Sequence, residues 1–254
     1  MTTISAVVSY KSGTCGDFLT LLLMSGHPDI KLVEIGDHGS LPNSVYFQNK
    51  FDHNFYATML GEGIVGKVNF FGINPRKDDA YFSLKSLENT FEKRKWAPFI
   101  ISGHFHVWIH KQMGTNWPNT VKNVNTWVHE RFKGTQVLFT KTTTEKSIKL
   151  LLLNDYYKNM IRVPDLYHNK FRSFNAMIGD TGYTDGVKVF SEKEAEMIDD
   201  LKSPVIELED VYNKAKLRNM LTETFSWWDD LYYEDLFNMY IEHQLMIPES
   251  KNII

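Results

Sequence analysis

A chain of 254 residues that carries one cysteine, Cys15, cannot form an internal disulfide. Its stability must come from a packed core, and a reducing, cytoplasmic setting is the expectation. Long apolar runs are missing too. Nowhere do about 18 apolar residues follow one another, so no membrane-spanning helix and no membrane association are expected. The first residues lack a basic flank leading into an apolar stretch, so no secretory leader is expected. There is no excess of positive charge: 28 Lys and Arg stand against 31 Asp and Glu, a net charge of −3. That balance argues against nucleic acid as a partner and leaves room for a local basic pocket. No internal repeat and no low-complexity linker divides the chain, so a single domain over 1–254 is expected.

What is present is ordinary in bulk and specific in places. Apolar residues make up 43% and charged residues 23%, enough for a sizeable core. Aromatic residues reach 14%, with many Tyr, Phe and Trp in the last third. The segment 222–254, with Phe225, Trp227 and Trp228, reads as an aromatic helical C-terminal piece. It is expected to pack on the domain or on a second subunit, which would be the route to a homo-oligomer.

The stretch from Ile4 to Met24 organises the rest. Ile4–Ser9 is a short β-branched run, Lys11-Ser12-Gly13-Thr14-Cys15-Gly16 is small and polar, and Asp17–Met24 is apolar almost all round. The pattern predicts a strand, a tight loop and a buried helix. Such a loop aims backbone N–H groups, a hydroxyl and the positive end of a helix dipole at one point, which suits phosphate or sulfate. Lys11 adds a full charge. The nucleotide-hydrolase signature G-x-x-x-x-G-K-[ST] is absent, because no Gly-Lys-Ser/Thr follows Gly13 or Gly16.

Further along, Lys31–Ile35 predicts a second strand, Gly36 to Asn49 an irregular stretch and Asn49–Leu60 a helix. Val65–Ile73 is read as a strand. Tyr81–Lys95 and Thr120–Phe132 have helical spacing. Pro98–Ser102 is an apolar run ending at Ser102-Gly103-His104, which predicts a strand with His104 at its carboxyl end, where reactive groups gather in open α/β sheets. Gln136–Thr140, the polar loop Lys141–Ser147 and the helix from Ile148 repeat the strand–loop–helix order. Arg162–Thr184 reads as a long loop. Ser191-x-x-Glu194 reads as a capping box opening a helix to Leu201. Ser203–Val211 predicts a late strand leading into a helix.

The order Lys-Ser-Gly-Thr after a first strand resembles the loop that holds the 5′-phosphosulfate in sulfotransferases that use 3′-phosphoadenosine 5′-phosphosulfate (PAPS). Ser-Gly-His resembles the strand-end histidine of that family, most of all its carbohydrate sulfotransferases. Leu208-Glu209-Asp210-Val211 is similar to its late Tyr-Glu-Asp-Leu element, with Leu for Tyr. The resemblance implies an α/β fold of the P-loop-containing nucleoside triphosphate hydrolase-like kind, a mainly parallel sheet flanked by helices. It implies transfer of a sulfuryl group from PAPS to a hydroxyl or amine of a small-molecule or carbohydrate acceptor, with no metal. Lys11 would stabilise the transferring group and His104 would act as base. Lys11, Ser12, Gly13, Thr14, Cys15, Gly16 and Asp17 would hold the 5′ end of the cofactor. Lys141, Ser147 and Lys149 would hold its 3′-phosphate. Here the chain departs from the family: Lys141 stands for Arg, Ser147 comes two residues early, and Lys149 takes the usual Ser position.

Two other readings stand beside this one. His104, His106 and His110 form H-x-H-x-x-x-H, a spacing able to supply ligands to a metal-dependent hydrolase. A non-enzymatic binding or structural module with a degenerate cofactor site is the other, and the departures at 141–149 are its basis.

Overall fold

The computed structural model describes residues 5–11, 13–38, 41–49, 54–58, 64–65, 72–73, 100–103, 135–162, 173–199 and 203–254, with side chains described outside 35–134, 158–162 and 197. The chain is α/β. The first strand, β1 (Ala6–Ser9), is fully buried, as a central strand covered on both faces must be. It leads into α1 (Gly16–Ser25), nine of whose ten residues are buried. After α1 come β2 (Ile30–His38), β3 (Leu41–Asn49), β4 (Asn54–Thr58) and β5 (Ile64–Val65). The short β6 (Gly72–Ile73), β7 (Ile100–Gly103) and β8 (Gln136–Lys141) follow. Then come α2 (Glu145–Arg162), α3 (Phe174–Gly179), α4 (Thr181–Asp199), β9 (Val205–Glu207), α5 (Leu208–Val211), α6 (Lys214–Thr224), α7 (Tyr233–Leu245) and a 3₁₀ turn, Pro248–Asn252.

Among the described residues the strands form two sheets. One has the order β6-β7-β1-β8-β9, and each of its pairings is parallel. The register sets Ser9 beside Gly103 on one side and beside Phe139 on the other. Counted along the chain within this sheet, the order is second, third, first, fourth, fifth. The connection leaving β1 therefore runs toward β6, and the one leaving β8 runs the opposite way, toward β9. Neighbouring strands whose connections diverge leave a crevice beyond their carboxyl ends, and in open α/β sheets ligands bind there. In this chain that topological position, called the crevice below, lies between the loop after β1 and the loop after β8.

The second sheet, β2-β3-β4-β5, is an antiparallel meander. It overturns two expectations, the irregular stretch at Gly36–Asn49 and the helix at Asn49–Leu60. Tyr46 pairs with Tyr56 and Phe47 with Phe55. Aromatic side chains favour the pleated surface, and cross-strand pairing overrides a helical spacing this short. The sheet of the fold is thus parallel in its central part, with an antiparallel one inserted between β1 and β6. The expected helices at Tyr81–Lys95 and Thr120–Phe132 lie outside the described residues.

The expected loop over Arg162–Thr184 is also corrected: α3 and the start of α4 lie in it. Ser173 caps α3 by accepting the Ala176 N–H at 3.1 Å. Asp180 accepts the Tyr183 N–H at 3.0 Å at the head of α4. Helix α4 begins ten residues before Ser191, so Ser191 and Glu194 sit inside the helix instead of opening it.

The core joins β1, β8, α1 and the C-terminal helices. The aromatic tail packs on α1. Phe18 stacks on Tyr240 with ring centres 3.8 Å apart, and the buried indole of Trp228 donates Nε1–H to the carbonyl of Leu22 at 2.8 Å. This apolar seam explains why α1 needs no polar face. Among the described residues no helix is long and apolar enough to cross a membrane.

Candidate functional site

The loop after β1 folds as the sequence predicts. The Thr14 N–H bonds to the Lys11 carbonyl at 3.2 Å, with Gly13 at φ 85°, a conformation open to glycine. Cys15, at φ 58°, is the N-cap of α1, and its carbonyl accepts the Leu19 N–H at 3.0 Å. At Gly16 a side chain has no room, because a Cβ would lie 2.0 Å from the ring of Tyr10. That ring is pinned by its hydroxyl, which donates to Asp17 Oδ1 at 2.7 Å. The Gly13 carbonyl accepts Nδ2–H of Asn154 on α2 at 2.9 Å.

The loop's polar groups turn inward. Thr14 is fully buried. Its hydroxyl donates to the Lys11 carbonyl at 2.8 Å and accepts from Thr140 Oγ1 at 2.7 Å, which ties the loop to β8. The Cys15 thiol faces Tyr212, Tyr240 and Asn154, with Tyr240 Oη donating to Sγ at 3.0 Å. Burial pushes the thiol above its ordinary value, against the hydrogen bonds that pull it down. The hydroxyls of Tyr212 and Tyr240 are pushed up by burial as well.

Lys11 carries the charge of this site. Its ammonium is almost buried and pairs with Glu194 Oε2 at 2.9 Å and with Ser191 Oγ at 2.8 Å. It also lies 5.6 Å from the ring centre of Phe190. All three partners belong to α4. Across the crevice, Lys141 at the end of β8 pairs with both carboxylate oxygens of Asp199, at 2.9 and 2.8 Å, again on α4. Thr142 donates to Ser191 Oγ at 3.1 Å. Helix α4 thus closes over the ends of β1 and β8, and one of its faces meets the two lysines. The pattern Ser191-x-x-Glu194 carried a signal, but it was a pair of ligands for Lys11 and not a cap.

The remaining sequence candidates part company. Ser147 is fully buried and caps its own helix: its Oγ accepts the Thr144 N–H at 3.0 Å, and Thr144 Oγ1 accepts the Ser147 N–H at 3.0 Å. Lys149 pairs along the helix with Glu145 at 2.7 Å and stays half exposed. That proximity lowers the Glu145 carboxyl. The loop between β8 and α2 is held instead by Glu207, which accepts the N–H of Thr143 at 2.8 Å and its hydroxyl at 2.6 Å. Sequence reasoning passed over Glu207 for the neighbouring Glu209-Asp210. Ser12 and His104 lie outside the described residues, as do His106 and His110. The described strand β7 ends at Gly103, beside Ser9. Among the described residues no group of three His, Cys, Asp or Glu side chains comes together as a metal site.

Comparison with protein-family models, with curated proteins and with solved structures finds no match to this chain.

Proposed function

We propose that the chain binds a nucleotide-type polyanion at the crevice between β1 and β8, and that it acts as a PAPS-dependent sulfotransferase with a P-loop-like phosphate loop. One observation carries the reading. The connections leaving β1 and β8 run in opposite directions across the parallel sheet, and the chain puts a lysine at or just beyond each of those strand ends. The loop at Lys11–Gly16 supplies the turn and the helix N-terminus that suit a phosphate or sulfate group. PAPS would bring the sulfuryl group. Lys11 would neutralise charge on it, and Lys141 would hold the 3′-phosphate as a point charge without the bidentate fork of Arg. His104, following directly on β7, is the proposed base for the acceptor hydroxyl or amine. The fit has a condition. Both lysines are matched by carboxylates of α4, so a polyanion is accommodated only when α4 gives way.

A second reading is favoured by what the side chains at 141–149 do. Ser147 caps a helix, Lys149 pairs within it, and Lys141 pairs with Asp199. A binding or structural module whose cofactor contacts have turned into internal ones would have this arrangement.

Calorimetric titration with 3′-phosphoadenosine 5′-phosphate, with ATP as control, separates the two. The sulfotransferase reading expects the bisphosphate to bind in preference to ATP and to bind more weakly to Lys141→Ala. Absence of binding to either nucleotide refutes it in favour of the internal module.

A further inference from the structure

We propose that α4 is a releasable closure: Glu194 and Asp199 occupy, with their own carboxylates, the positions an incoming phosphate-type anion would take on Lys11 and Lys141. This rests on reading the crevice as an anion site. The geometry is that of substitution. Oxygen atoms of the two carboxylates lie 2.8–2.9 Å from the two ammonium groups, and Ser191 accepts from both Lys11 and Thr142. Lys11 comes from the end of β1, and Lys141 and Thr142 from the end of β8. One helix therefore satisfies donors from both walls of the crevice, as a bridging anion would.

The helix is also built to let go. Its described buried residues are Ser191, Glu194, Ala195 and Ile198, and Tyr183 and Val187 pack partly buried against the core, so its grip is part polar and part apolar. Its first half, Thr181–Phe190, is mostly exposed and contains Gly182, Gly186 and the β-branched Thr181, Thr184, Val187 and Val189. Neither glycine is there for lack of room. A Cβ at Gly186 would meet nothing within 4 Å, and one at Gly182 would come no nearer than 3.5 Å to Asp180. Each glycine lowers the helix-forming constant about fivefold relative to alanine. Weak local helicity and an ionic clasp make the helix easier to detach than the strands it covers.

The test is hydrogen exchange of the full chain, read together with calorimetry using inorganic pyrophosphate and 3′-phosphoadenosine 5′-phosphate. Four proteins are compared: wild type, Asp199→Asn, Glu194→Gln, and the double variant Gly182→Ala/Gly186→Ala. Glu194→Gln is expected to speed exchange of the α4 amides at least about fivefold, and Asp199→Asn to speed it by less, while β1 and β8 keep their protection. The glycine replacements are expected to slow α4 by about fivefold each. Anion affinity should follow the same order, with Glu194→Gln binding about tenfold or more tightly than wild type and the alanine variant more weakly. Should Glu194→Gln not fold, the solvent-facing Asp199→Asn and the alanine pair carry the test. Equal affinity in all four proteins leaves the anion site standing and overturns the closure. Exchange of α4 only together with β8, in every variant, overturns it as well. Failure of all four to bind either anion refutes the anion site, and the closure falls with it.

Discussion

Replacing Lys11 by Met tests the centre of the arrangement. The lysine side chain is 8% exposed and that of Glu194 2%, so the pair is cut off from water. Removing the cation takes from the buried Glu194 carboxylate its ammonium partner at 2.9 Å. Breaking a buried pair from one side costs about 3–5 kcal/mol, because the remaining charge is left uncompensated. A domain is stable by about 5–15 kcal/mol, so Lys11→Met removes a large part of the margin. The same principle makes a second claim. With Glu194→Gln added, the carboxylate that lost its lysine is gone as well, and most of the loss should return, since replacing both members of a buried pair is often neutral. Urea denaturation of wild type, the two single variants and the double variant gives the coupling directly. A loss below about 1 kcal/mol in Lys11→Met, or a double variant no better than the single, would refute the argument that the two groups are desolvated together.

Gly16→Ala should cost about 3 kcal/mol or more, from overpacking against Tyr10 and from strain on its bond to Asp17, and a urea midpoint close to that of wild type would remove the steric argument. The raised Cys15 thiol and the raised Tyr212 and Tyr240 hydroxyls mean that the folded state keeps protons which the unfolded chain releases. Their contribution is present below about pH 8.5, where an unfolded thiol is half ionised, and is lost as pH rises further. The urea midpoint should therefore fall above that pH, and Cys15→Ala should flatten the first part of the fall; a midpoint that rises with pH would contradict the sign.

The parts that were legible in the sequence are those whose physics is local. The strand, loop and helix from Ala6 to Ser25 could be read because Gly13 and Gly16 sit where a positive φ and a ring contact demand them, between two apolar runs. The strand at Ile100–Gly103 was visible as a bounded apolar run. The partners of Lys11 were not visible, since Glu194 and Ser191 lie some 180 residues away and carry a spacing that also signals a helix cap. Ser147 and Lys149 stood at positions suited to a phosphate, yet each finds a partner within four residues, and a short-range bond forms before a distant one is needed. The antiparallel strands β3 and β4 were misread, β3 as irregular and β4 as part of a helix, because strand pairing depends on a neighbour that the local sequence does not specify.

The contact between Trp228 and the carbonyl of Leu22 spans 206 residues. Helix α1 is apolar on every side, and its cover arrives with the last helices of the chain. On a ribosome adding 5–20 residues per second, α1 stays without that cover for on the order of 10–40 s. During that interval the nascent chain displays a nearly all-apolar helix, so the order of synthesis makes the N-terminal half a client for chaperones and leaves completion of the core to the C-terminal residues.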